Sequence, residues 1–253
     1  KSISTSPSMK GAYIVKGTDG GNVGGGNLDG YGSALSADGN TLFVADASIN
    51  GHGTFQIIDV SSHTSPSYIG RYLTRSPMTY NVSLSADGNT AFVTDGASCL
   101  IIDVSNLASP TLTSQLSGGG GGNYVYDVAL SADGKTAFIA NGSSGLKIFD
   151  VSNLASPSLS GSLNVSSNTG SGAVSITLSA DGKTAFVAEN FKALLKIIDV
   201  SDLTNPTLIS TFDASGSSAV GITLSADGNT AFFSKSNYGL DIIDISNKAS
   251  PSL

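Results

Sequence analysis

Only two histidines, one cysteine and no tryptophan occur in these 253 residues. His52 and His63 lie in different turn regions of the repeat described below, which predicts opposite ends of the fold and no shared acid–base or metal site. The lone Cys99 excludes an internal disulfide and reads as a small buried apolar side chain. There is no Gly-x-Ser-x-Gly elbow and no zinc-type Cys/His spacing.

Charge is scarce too, at 12% of residues, with 12 Lys and Arg against 19 Asp and Glu for a net charge of −7. The cations are scattered, so neither a nucleic-acid backbone nor an anionic membrane surface finds a basic patch. No apolar run is long enough to cross a bilayer, and membrane insertion is not expected. Ser, Thr, Gly and Asn fill the surface positions instead, a composition common in exported proteins. No metal and no cofactor is implied.

What is present is a repeat. Ser-Ala-Asp-Gly begins at Ser36, Ser85, Ser131, Ser179 and Ser225, a period of about 47 residues that marks a repeat architecture. In the copy Leu130 to Pro157, an alternating run ending at Leu130 turns through Ala132-Asp133-Gly134 into Ala137-Phe138-Ile139-Ala140. A second turn cluster leads to Leu146–Val151, and a Ser-rich outer strand follows Pro157. Four strands per unit predict an all-β, five-bladed β-propeller of antiparallel blades, one domain over residues 1–253. Adjacent apolar pairs such as Phe92-Val93 and Ile197-Ile198 want cover on both sheet faces, which blades around an axis provide.

The chain opens in what reads as a fourth strand, so residues 8–16 are expected to complete the last blade beside Leu240–Ile245 and close the ring. The Ser-Pro or Asn-Pro segment that leads into a fourth strand occurs six times for five blades, at Pro7, Pro66, Pro110, Pro157, Pro206 and Pro251. The spare copy is expected to be a redundant tail, a partner for another molecule, or a sign that this is a slice of a longer array.

Gly145-Leu146-Lys147-Ile148-Phe149-Asp150-Val151-Ser152, with Pro157 after it, resembles the LVIVD-type repeat. Ser131 to Ala140 is similar to the hairpin of YVTN-type propellers. The resemblance covers nearly the whole chain and implies a bacterial or archaeal propeller, extracellular, at the cell surface or in the periplasm. It carries over no catalytic residue.

An up-and-down blade sorts its loops to two ends of the ring. One end is uniform, and its two aspartate columns (Asp38, Asp87, Asp133, Asp181, Asp227 and Asp59, Asp103, Asp150, Asp199, Asp244) read as turn chemistry, with no calcium-loop spacing. The other end differs in every blade. Asp46, Asp95, Asn141, Glu189 and Lys235 follow the second strands, and Asn81 and Asp127 stand on first strands near the axis. These are the candidate ligand-binding residues, read as a ring of oxygens at the channel mouth, with Lys235 breaking the pattern. The glycine-rich stretches Gly17–Gly32 and Gly118–Gly122 lie at the same end and lack the Lys-Ser/Thr of a phosphate cradle. Asn81, Asn141 and Asn164 fit the N-glycosylation pattern.

With no catalytic set in view, the expected function is a non-catalytic exported surface protein, a structural or adhesive module that self-assembles through its edge strands. Its partners would be itself, as a homo-oligomer or filament, or cell-surface carbohydrate or protein. The alternative is a monomeric binding module for a carbohydrate, peptide or cation at the variable end. A hydrolase or lyase on the same scaffold is the third reading.

Overall fold

The computed structural model describes residues 32–49, 52–118, 124–165, 172–216, 218–236 and 239–253. Among them every regular element is a strand. Blade 1 runs β1 (Gly32–Leu35), β2 (Thr41–Ile49), β3 (His52–Asp59) and β4 (Ser67–Leu73). Blade 2 follows with β5 (Asn81–Leu84), β6 (Thr90–Thr94), β7 (Ser98–Asp103) and β8 (Thr111–Ser117). Blade 3 has β9 (Asp127–Leu130), β10 (Thr136–Ala140), β11 (Leu146–Asp150) and β12 (Ser158–Leu163). Blade 4 has β13 (Ala173–Leu178), β14 (Thr184–Glu189), β15 (Leu194–Asp199) and β16 (Thr207–Asp213). Blade 5 shows β17 (Ala219–Leu224), β18 (Thr230–Lys235) and β19 (Gly239–Asp244). Each sheet is an antiparallel meander in chain order, and the innermost strands meet in the sequence β1, β5, β9, β13, β17. The protein is a five-bladed β-propeller.

The first turn of every blade is built by the Ser-Ala-Asp-Gly marker. In blade 3 the Ser131 hydroxyl donates to Asp133 at 2.6 Å, and the same carboxylate oxygen accepts the Lys135 N–H at 3.1 Å. Gly134 then takes φ of +68°, a left-handed conformation that a side chain disfavours. The second aspartate column does the same at the next turn, as when Asp150 accepts the Ser152 N–H at 2.8 Å. These turns confirm the structural reading of both columns: hydrogen bonds from Ser and from backbone N–H hold the carboxyls below the usual Asp range.

Packing between blades explains the doubled apolar residues. Phe92, Cys99 and Ile101 on one face of blade 2 meet Ala137, Ile139 and Val151 of blade 3. The opposite face of blade 2, with Ala91, Val93 and Ile102, receives Phe43, Phe55 and Ile57 of blade 1. Further out, each complete blade carries a register shift between its third and fourth strands, at Ile57/Ile58, Ile101/Ile102, Ile148/Phe149 and Ile197/Ile198. Just past the bulge the outer strand touches the next blade's turn. Ser114 donates to the Leu154 carbonyl and Ser210 to that of Lys248, both at 2.5 Å. Gly70 and Gly161 hold the same position in blades 1 and 3, where no side chain fits.

The residues expected to close the ring, 8–16, lie outside the described ones. The sixth Ser-Pro segment is placed. Asp244 and Ser252 exchange both backbone hydrogen bonds, at 2.7 and 3.0 Å. The pair sits where Asp199 meets Thr207 in blade 4, so Ser252 begins the fourth strand of its own blade.

Two outcomes test these contacts. A Cβ at Gly161 would stand 2.2 Å from the Leu203 carbonyl oxygen, so Gly161→Ala should cost about 1–3 kcal/mol in urea unfolding. Gly182→Ala, with φ of +68° but open space, should cost only about 1 kcal/mol. The turn carboxyls have folded pKa values below their unfolded value of about 3.9. Their contribution to stability is therefore complete above that value and declines as pH falls through the folded values. Thermal midpoints measured from neutral to acidic pH should show that decline begin near pH 4.

Candidate functional site

Three positions before the final leucine of each innermost strand, the five blades carry Gly32, Asn81, Asp127, Ser175 and Gly221. The three central members form one belt. Asp127 Oδ1 accepts from Asn81 Nδ2 and, at 2.7 Å, from the Val128 N–H. Its Oδ2 accepts from the Ser175 hydroxyl at 2.9 Å and the Ile176 N–H at 2.8 Å. One carboxylate thus ties blades 2, 3 and 4 together at the axis. Burial pushes the Asp127 pKa up, and these donated bonds offset part of the rise.

One residue earlier the column reads Tyr80, Tyr126, Val174 and Val220. Together with the belt and Ala219 these residues line an open axial cavity of about 420 Å³. Its wall is divided: blades 2 and 3 give tyrosines, blades 4 and 5 give valines. Tyr80 and Tyr126 meet edge to face with ring centroids 4.9 Å apart, and Tyr124 stands 6.0 Å from Tyr126. Burial raises the Tyr126 pKa, so its hydroxyl stays a donor at neutral pH.

Asn81 and Asp127 are therefore brought together at the axis, as expected for a mouth site. Asp46, Asp95, Asn141, Glu189 and Lys235 are not. They sit at the ends of the second strands, facing the third strand of the same blade, and none lines the axial cavity. Asp46 accepts from Gln56 Nε2 at 3.1 Å, Glu189 pairs with Lys196 at 3.4 Å, and Lys235 pairs with Asp241 at 2.7 Å. Asn141 and Lys147 both donate to the Gly118 carbonyl, at 2.7 and 2.9 Å. In blades 1, 4 and 5 the residue types that read as a ring of cation ligands are buried cross-strand pairs, a choice the alternation alone does not reveal. Tyr80, Tyr126 and Ser175 were missed; the signal was the column itself, read across blades instead of along one strand.

Of the glycosylation candidates, Asn81 donates its amide to Asp127 and Asn141 is fully buried, while Asn164 is exposed. The glycine-rich stretches lie largely outside the described residues. The Thr74 carbonyl lies 3.1 Å from His52 Nδ1 and accepts from it in the tautomer that carries the proton there, and His63 is an exposed turn residue. Cys99 is buried, and burial together with Asp95 and Asp127 raises its pKa. Among the described residues no group of three or more His, Cys, Asp or Glu side chains is placed to hold a metal.

The cross-strand pairs make a clear prediction. Glu189→Ala strands Lys196, only 7% exposed, without its counter-charge, and should lower stability by about 3–5 kcal/mol. The double variant Glu189→Lys, Lys196→Asp copies the order found in blade 5 and should recover most of that loss in the same unfolding assay.

Comparison with known proteins follows the fold. The periplasmic gluconolactonase PpgL of Pseudomonas aeruginosa superposes with a TM-score of 0.77 at 18% identity, over 88% of this chain and 68% of that one. A protein of Lactobacillus plantarum superposes at 0.76 with 16% identity, over 88% and 69%. A Bacteroides fragilis protein proposed to be a 6-phosphogluconolactonase gives 0.72 and 15%, over 87% and 68%. At these identities the shared property is the fold. No protein of curated function matches the chain. These neighbours correct the expectation of a non-catalytic structural or adhesive module assembling through edge strands. That expectation rested on missing His, Cys and Ser motifs, on a uniform end and on a spare strand. A gluconolactonase shares this fold, the uniform end is turn chemistry, and Ser252 of the last Ser-Pro segment pairs with Asp244 of its own blade. The LVIVD repeat matches residues 29–74, 79–117, 122–165, 173–214 and 221–253, and the chain belongs to the LVIVD repeat family.

Proposed function

We propose that the axial mouth binds a small polyhydroxylated ring compound of the sugar-lactone class and opens it by hydrolysis. The observation that carries this reading is the cavity itself, where tyrosine faces stand over the Asn81–Asp127–Ser175 belt. Tyrosine rings suit the C–H faces of a sugar ring, and the belt supplies donors and acceptors for its hydroxyls. The names of the lactonase neighbours support the substrate class, and the periplasmic one supports a place outside the cytoplasm.

Ring opening needs no redox partner. The water oxygen bonds to the lactone carbonyl carbon, the ring C–O bond breaks, and the water proton ends on the former ring oxygen. Tyr126 makes no hydrogen bond through its hydroxyl among the described residues, which leaves that donor for the developing oxyanion. Asp127 is the carboxylate at the floor. The Ser175 hydroxyl is the one of its four donors that turns away by simple rotation, freeing a lone pair to take the proton from water.

A pH-stat assay of the whole chain with δ-gluconolactone tests this against spontaneous hydrolysis. The expected result is a rate above background that falls as pH drops through the raised pKa of Asp127, because a base must be deprotonated. Tyr126→Phe should lower kcat/KM about tenfold or more, and Asp127→Asn about a hundredfold or more. A rate equal to buffer across the pH range, or one untouched by Tyr126→Phe, rejects the hydrolytic reading.

A further inference from the structure

Blade 2 breaks the rule of cross-strand pairing. The position that holds Gln56, Lys147, Lys196 and Asp241 in the other blades is Leu100 in blade 2. Its neighbour Asp95 is only 3% exposed, and on the facing strand it is met by Ser98, the strand's first residue, with no charged or amide side chain across from it. The Ser98 N–H and hydroxyl both donate to Asp95 Oδ1, at 2.8 and 3.2 Å.

Asp95 lines a second cavity, of about 210 Å³, on the outer flank between blades 1 and 2. The opposite charge is there as well: Arg75, exposed, lines the same cavity and makes no ion pair or hydrogen bond among the described residues. Tyr72, Leu100 and Leu112 give the cavity an apolar side. Its volume is below that of pockets for drug-sized ligands, which start near 300 Å³.

We propose that this flank cavity binds a small zwitterion of the α-amino acid class with an aliphatic side chain. Its ammonium group donates to Asp95, its carboxylate takes the planar fork of Arg75, and its side chain lies against Leu100 and Leu112. The two protein charges stand on one cavity without meeting each other, and a zwitterion is the ligand that answers both at once.

Isothermal titration of the full chain with L-leucine, up to about 10 mM, is the test. N-acetyl-L-leucine, which lacks the ammonium, and isoamylamine, which lacks the carboxylate, serve as paired controls. Saturable binding of leucine is expected, weakened at least about tenfold by Arg75→Gln, by Asp95→Asn and by either loss from the ligand. Asp95→Asn keeps an acceptor for Ser98, and Arg75 is a surface residue whose replacement leaves the core intact, so thermal midpoints should stay close to the parent's. Absence of saturable binding overturns the proposal and makes the cavity a flaw filled by solvent. So does binding that Arg75→Gln leaves unchanged.

Discussion

Everything in this propeller depends on one constraint: each blade is apolar on both faces, and only a neighbouring blade can cover them. The column Phe43, Phe92, Phe138, Phe186 points one way around the ring and Ala91, Ala137, Ala185, Ala231 the other, so a large side chain always meets a small one. This complementarity fixes the spacing of the blades. The axial cavity is a result of that spacing, because the innermost strands stop short of one another and leave their polar column facing inward.

Charged groups that enter the interior at the axis and in blades 4 and 5 come with partners drawn from the same or the next blade. Asp127 is satisfied from three blades, and Glu189 and Lys196 answer each other within one. Blade 5 inverts the second arrangement with Lys235 and Asp241. The inversion shows that the fold holds the pair in either order of sign. Against this background a site is recognised as a departure from the repeat: a column that gives tyrosine in blades 2 and 3 and valine in blades 4 and 5, or a carboxylate set across from Leu100.

The fold was legible in the sequence because its determinants are local and repeated five times. Asp-Gly turns, alternating strands and doubled apolar residues each state their structure within a few residues. The site was half legible. Asn81 and Asp127 were placed near the axis by counting from the marker, but Asp46 and Glu189 were drawn to the same mouth by their chemistry alone. What decided their place was the facing strand, Gln56 in one blade and Lys196 in another, and a strand partner about ten residues away is not visible in a polar residue after a strand. The low count of His and Cys weighed too heavily on function, since a carboxylate and a phenol suffice for several reactions.

The last blade carries a different consequence. Phe186, Leu195 and Ile197 of blade 4 are sealed, while Leu240 and Ile242, which hold equivalent places in blade 5, are 55% and 58% exposed. In an array whose cohesion is a sum of nearest-neighbour terms, a blade bound on one described face has about half the coupling of an interior one. Amide protection against deuterium should then be graded along the chain, deepest in β10 and β14 and shallowest in β18 and β19.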